Sequence, residues 1–279
     1  MASKRVLSTA AGFLLVLISC AGARAETWPA EVRAVYDVNF NGLNVGTFEF
    51  RSDTDGRTYT LQANAQLSVW LYKWNGQTRS SGRILNQGPH PAAFTFDFKS
   101  DSKVGSARSG SLMMGFNGDA VTNVTHVPPA KIKPGTVPVT EANLKNVLDP
   151  MSAVLAMSRG STANPCGRRL PIFDGKQRFD LLLTYRGQTN VTEQQPSGQP
   201  GTAYICRVRY IPIAGHKQDD ETRFMAQSND IEIVLRPVPS ANVFVPYQIN
   251  IPTMAGTASL VAKRVDITTP SRQAIALVY

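Results

Sequence analysis

Histidine and cysteine are scarce in this chain, three of each, and that scarcity removes whole classes of chemistry. His90, His126 and His216 stand far apart, in no spacing that lets imidazoles share a metal ion. Each is assigned a structural or solvent-exposed role, and neither metal nor cofactor is expected. No C-x-x-C occurs, which removes the thiol–disulfide exchange motif. The G-x-S-x-G elbow is absent too, so an esterase-type serine has no turn to stand on. Lys and Arg never run longer than two residues and no recognition motif accompanies them, so nucleic acid is excluded as a partner. Beyond the N-terminal segment no apolar run approaches the length of a membrane-spanning helix. No catalytic residue is assigned.

What is present begins with an export signal. Lys4 and Arg5 precede an uncharged run centred on "GFLLVLIS", and "ARA" at 23–25 has the small-x-small form of a signal-peptidase site. Cleavage after Ala25 leaves Glu26 as the mature N-terminus, dividing the chain into a 1–25 signal peptide and a single domain over 26–279. A rival reading uses the same residues. Leu17, Ile18, Ser19 and Cys20 fit a loose lipobox, in which Cys20 is acylated and anchors the protein. Ordinary cleavage is preferred, because Ala23 and Ala25 are the favoured residues there while Ile18 suits a lipobox poorly. Lys4, Arg5 and Arg24 leave with the signal, taking the net charge from +9 to +6. That basic surface suits an envelope compartment with anionic lipids or cell-wall acids, though its charges are scattered.

With Cys20 removed or acylated, Cys166 and Cys206 remain as an even pair. In an oxidising compartment they are expected to form a disulfide whose role is structural. The architecture follows from period-two patterning. In "RTYTLQANAQLSV", Tyr59, Leu61, Ala63, Ala65, Leu67 and Val69 share one face, which marks a long half-buried antiparallel strand. The stretches "AVYDVNF" and "GTFEFRS" alternate likewise around an Asn41-Gly42 turn, and Asp55-Gly56 and Asp174-Gly175 supply further turns. Later strands are read in "QRFDLLLTY", "TAYICRVRYI", "NDIEIVLRP", "VFVPYQINI" and "TASLVAKRVDI", with Cys206 pointing toward apolar company.

One helical region interrupts the strands. Thr140 and Asp149-Pro150 are both start signals, and "PMSAVLAMS" runs to Gly160. Met151, Val154, Leu155 and Met157 are taken as core. Asp149 is read as a cap and Asp174 as a turn former, neither as chemistry. Residues 186–201 lack apolar content and read as an exposed loop. "HKQDDE" at 216–221 gathers a histidine and three carboxylates but reads as a solvated loop.

Four segments carry a resemblance. "YDVNFNGLNVGTFEF", "LDPMSAVLAM", "CGRRLPIFDGKQRFDL" and "CRVRYIPIAGHK" together resemble a family of uncharacterised envelope proteins, a domain of unknown function common in proteobacteria, over about residues 30 to 279. The resemblance implies a periplasmic β-protein whose antiparallel strands curl into a spiral or open barrel. Similar spirals occur in alphaproteobacterial periplasmic proteins linked to envelope integrity. The family offers no agreed catalytic residues.

The expectation is a mainly β fold: one large curled antiparallel sheet with a helix region around 140–158 on its concave face. Three function classes follow. A non-enzymatic envelope protein, scaffold or interaction partner, leads; its alternative form carries a lipid or lipopeptide inside the sheet. An enzyme with a dispersed site is second. An outer-membrane barrel is third, suggested by the terminal "AIALVY" and opposed by the buried-type helix. Small Ala63 and Ala65 beside aromatics leave room inside the curl, while Met151 and Met157 tolerate variable contents. A helix that plugs the concave face is preferred to an open ligand cavity. The partner is an envelope protein, lipid or cell-wall polymer, and the sequence does not specify the oligomeric state.

Overall fold

The structure, a computed structural model of the chain, describes residues 28–85, 88–102, 105–160 and 164–279. Cys20, Ala25 and Glu26, on which the two N-terminal readings turn, lie outside the described residues. Seven strands come first: β1 (Glu31–Phe40), β2 (Leu43–Thr54), β3 (Thr58–Val69), β4 (Tyr72–Leu85), β5 (Gly88–Ser102), β6 (Arg108–Asn117) and β7 (Ala120–Val127). A 3-10 turn (Glu141–Leu144) and helix α1 (Pro150–Met157) follow. Next come β8 (Arg169–Phe173), β9 (Arg178–Asn190), β10 (Thr202–Ala214) and helix α2 (Asp220–Gln227). The chain ends with β11 (Glu232–Val238), β12 (Val243–Thr253), β13 (Gly256–Thr268) and β14 (Ala274–Val278). All fourteen strands belong to one sheet, ordered β7-β6-β5-β4-β3-β2-β1-β13-β12-β11-β10-β9-β8, with β14 added beside β13.

The hairpins follow from local chemistry. Asn41 and Gly42 both take positive φ, +49° and +81°, as a tight two-residue turn requires. Asp55 and Asp174 each accept two backbone amides across their turns through one carboxylate oxygen. On β3 the alternation reads directly as burial, with Tyr59, Leu61 and Ala63 turned to the core.

The sheet curls without closing. Its edge strands β7 and β8 do not pair; residues 145–148 lie between them. Lys145 bridges Ala120, and the Asn146 amide donates to the Asp119 carbonyl at 2.7 Å. On the other side the Leu148 amide donates to Pro171 at 2.8 Å, and the Phe173 amide donates to Leu148 at 2.9 Å. The chain thus satisfies backbone groups on both exposed edges just before α1 enters the concave side. The helical region expected around 140–158 is present in two pieces, the 3-10 turn and α1, separated by Asn146 at φ +54°. Met151 and Leu155 belong to the larger core, under β1–β7, β13 and β14, whereas Ala153 and Met157 belong to the core under β8–β12.

Two sequence readings need correction. Residues 216–221 are not simply a loop: Asp219 accepts from the Thr222 amide and caps α2. Asp220 and Glu221 sit in its first turn, where the helix dipole favours acids. Nor is 186–201 an exposed loop throughout. Its first residues continue β9, and Glu193 pairs at 2.5 Å with Arg236, whose side chain is wholly buried. Arg236 also donates to the Pro200 carbonyl and to the Tyr279 hydroxyl, so these polar residues hold the C-terminus onto β11.

Candidate functional site

Strand register places a row of inward residues across five strands: Phe48, Ala65, Gly76, Phe98 and Gly110 are successive cross-strand partners from β2 to β6. Between the rings of Phe48 and Phe98 the row holds only the small residues Ala65 and Gly76, and Gly110 follows. The small positions matter because the rings lie down over the sheet: a Cβ on Gly76 would meet the Trp74 ring at 2.2 Å, and one on Gly110 would meet Phe98 at 2.7 Å. Trp74, Phe96 and Phe98 thereby form a continuous aromatic wall, with centroids 6.3 and 6.0 Å apart. All three rings remain half-buried, so the wall faces an open part of the concave side.

Deeper in the curl, α1 is fixed by a polar clamp. Asp149 caps the helix, its Oδ1 accepting from the amides of Met151 and Ser152 at 2.9 and 3.0 Å. Its Oδ2 accepts from the hydroxyls of Ser152 (2.5 Å) and Ser80 (2.9 Å). The Tyr59 hydroxyl donates to Ser152 Oγ at 2.7 Å. Burial pushes the Asp149 carboxyl above its ordinary range, and these donors pull it only part of the way back. Tyr59 is likewise raised, by burial and secondarily by Asp149. Asp149, Ser80 and Ser152 are all fully buried. The clamp fastens a helix.

Between α1 and strands β1, β2, β12 and β13 lies an apolar cavity of about 150 Å³. Val154, Leu155 and Met157 of α1 form one side, and Val32, Phe48 and Phe50 of β1 and β2 another. It exists because the sheet forks. β12 leaves β13 beyond Gln248, and β14 takes its place alongside Arg264–Thr268. Val243–Pro246 of the departing strand complete the lining, and the Tyr36 hydroxyl donates across to the Pro246 carbonyl at 3.0 Å. The expected plug is therefore incomplete. A cavity of this size, lined almost wholly by hydrocarbon, takes a benzene-sized apolar group.

Other positions singled out in the sequence stay apart. Cys206, wholly buried on β10, is disulfide-bonded to Cys166. His90 pairs with Asp119 at 2.6 Å, His126 contacts the Gly175 carbonyl at 3.0 Å, and His216 is buried beside the connector to α2. Among the described residues no three His, Cys, Asp or Glu side chains converge as metal ligands, and no helix is long and apolar enough to cross a membrane. Sequence reading named Ala63 and Ala65 but missed the aromatic wall. Its signal was present as "FTFDF", with Phe94, Phe96 and Phe98 at period two.

No curated protein matches the chain. Among solved structures it is similar to a β-barrel-like protein of domain of unknown function DUF1849 from Brucella abortus. The identity is 10% and the TM-score 0.49, over 86% of this chain and 99% of that one. Residues 35–263, most of the curled sheet, match the family described as protein of unknown function DUF3108, and the chain belongs to that family.

Proposed function

We propose that this is a non-enzymatic cell-envelope protein that binds an apolar group, such as the end of an acyl chain, inside its curled sheet. The observation that carries the reading is the cavity of about 150 Å³ beside α1, which shares Phe48 with the aromatic row. An empty apolar cavity forfeits dispersion contacts on every wall, and an apolar guest restores them. Export to an oxidising compartment, by cleavage between Ala25 and Glu26 or by acylation of Cys20, is part of the proposal. The Cys166–Cys206 disulfide supports it, since structural disulfides persist outside the reducing cytosol. An interaction scaffold whose concave face is only plugged is the second reading. The four-donor clamp that fastens α1 favours it.

Native mass spectrometry of protein isolated from its own envelope separates the two. A stoichiometric lipid-like adduct is expected on the wild type. Ala34 lines the cavity, so Ala34→Leu should remove the adduct while raising the stability of the empty protein by about 1 kcal/mol, as cavity filling commonly does. A clean, unliganded wild-type mass would overturn the ligand reading and leave the plugged scaffold.

A further inference from the structure

The connections β1–β2, β3–β4 and β12–β13 all fall at the same end of the sheet, because their strands alternate in direction through the order β12-β13-β1-β2-β3-β4. Their tips are apolar. Trp70 is 98% exposed, Leu43 73% and Met254 63%, and Leu71 and Tyr72 beside Trp70 are exposed as well. The β1–β2 and β12–β13 turns are tied together: the Thr257 amide donates to Asn41 Oδ1 at 2.8 Å, and the Asn41 amide to the Thr257 carbonyl at 2.9 Å. Six neighbouring strands spaced about 4.8 Å apart spread these tips along an arc of roughly 24 Å.

This rim is costly for a protein surrounded only by water. Trp70 sits at φ +50°, a left-handed conformation that bulky residues rarely adopt. The β3–β4 hairpin thus accepts backbone strain where glycine or asparagine would relieve it, and holds an indole in solvent. Such outliers persist where the exposed group has a use. The tips stand at the open end of the concave face, above Leu67 and Trp74, a cross-strand pair in the row next to Phe98. Lys73, Lys99 and Arg108 flank the same end, with Asp101 opposite Lys73. An indole and a tyrosine among aliphatic side chains, bordered by cations, is the composition that settles at the headgroup level of an anionic bilayer.

We propose that the apolar rim formed by Leu43, Trp70, Leu71 and Met254 docks the protein on an anionic lipid surface, with the open end of the curled sheet facing the bilayer. The docking goes beyond the ligand reading and depends on the rim alone. Its test is co-sedimentation with vesicles of phosphatidylcholine and phosphatidylglycerol, three to one, against vesicles of phosphatidylcholine alone. Wild-type protein should bind the anionic vesicles more tightly, and added salt should weaken the difference. Trp70→Ser combined with Leu71→Ser should lower the affinity by at least about tenfold, because it removes the largest apolar surface at the tip. Its melting temperature should hold, since neither side chain packs in the core. Leu85→Ser, an exposed leucine at the opposite end of β4, should bind like wild type. So should Ala34→Leu, which separates docking from filling of the cavity. Wild-type protein that ignores both vesicles would overturn the proposal and point to a protein partner for the rim. Equal binding by the Trp70/Leu71 variant would overturn it as well.

Discussion

Replacing Cys206 with serine should cost the fold about 4 kcal/mol, the closure entropy of a loop whose cysteines are 40 residues apart. The bond does more than shorten the unfolded chain. It pins the segment before β8 to the middle of β10, and that segment finishes α1. Arg168 Nη1 donates to the Ala156 and Met157 carbonyls at 2.7 and 3.0 Å, and Nη2 to the Arg159 carbonyl at 2.6 Å. These acceptors include carbonyls that the helix end leaves without intrahelical partners. Burial, and secondarily Arg159, holds the Arg168 guanidinium below its ordinary pKa, so the pairing is made against a desolvation cost. Losing the disulfide frees the anchor as well as the loop. At about 2–4 °C per kcal/mol for a chain of this size, the midpoint should fall by roughly 10 °C. Thermal unfolding of oxidised, reduced and Cys206→Ala protein checks it. The alanine variant should resemble the reduced protein, and serine should be worse, since its hydroxyl is buried among apolar side chains. A reduced protein melting with the oxidised one would show that packing alone holds Arg168 in place.

The parts of this fold legible in the sequence are those where one physical rule acts locally. β3 alternates apolar and polar residues because one face packs on α1 and the other does not. The Asn41-Gly42, Asp55-Gly56 and Asp174-Gly175 turns carry their own backbone chemistry, and Cys166 and Cys206, the two cysteines left once Cys20 is assigned to the N-terminal segment, pair as expected. β4 shows where that logic fails. Apart from its single Trp74, the inward positions Gly76, Thr78 and Ser80 are too small or polar to register as a buried face. They are small because neighbouring rings lie over them, and polar because Ser80 serves Asp149, which is 69 residues away. The β3–β4 turn at Trp70-Leu71 has neither glycine nor asparagine and gives no turn signal. α2 was readable from Asp219 and its acidic first turn, but eight residues with no buried side chain look like loop. Glu193 and Ser197 sit in a stretch whose composition suggests solvent, and only Arg236, from a different strand, makes them interior. The cavity was the least accessible feature. It arises from a fork between β12 and β14, which no local pattern encodes.

Asp149→Ala should destabilise the protein by about 3–5 kcal/mol, because it removes a helix cap and strips buried hydroxyls of their acceptor. The amides of Met151 and Ser152 lose Oδ1, and the hydroxyls of Ser80 and Ser152 lose Oδ2. Ser80 and Ser152 stand 3.1 Å apart and can recover one bond between themselves, which keeps the loss below a full sum. Asp149→Asn is the informative contrast. Its Oδ1 still caps both amides and its NH₂ donates to the serine oxygens, so the loss at neutral pH should stay within about 1 kcal/mol. The two variants also separate in pH. Burial raises the folded Asp149 carboxyl above its unfolded value of about 3.9, so over that interval the native state binds the proton more readily. Wild-type stability relative to Asp149→Asn should therefore rise as pH falls through the folded value, levelling off below the unfolded one. Glu193 works the other way. Burial pushes its carboxyl up, but Arg236 and Ser197 bring it below the ordinary value, so its contribution is lost at low pH. Only the wild-type-minus-Asn difference isolates Asp149. Urea unfolding of the three proteins between neutral and mildly acidic pH measures it. A flat difference would mean that the donors cancel the effect of burial, and Asn as damaging as Ala would mean that the clamp requires the carboxylate charge itself.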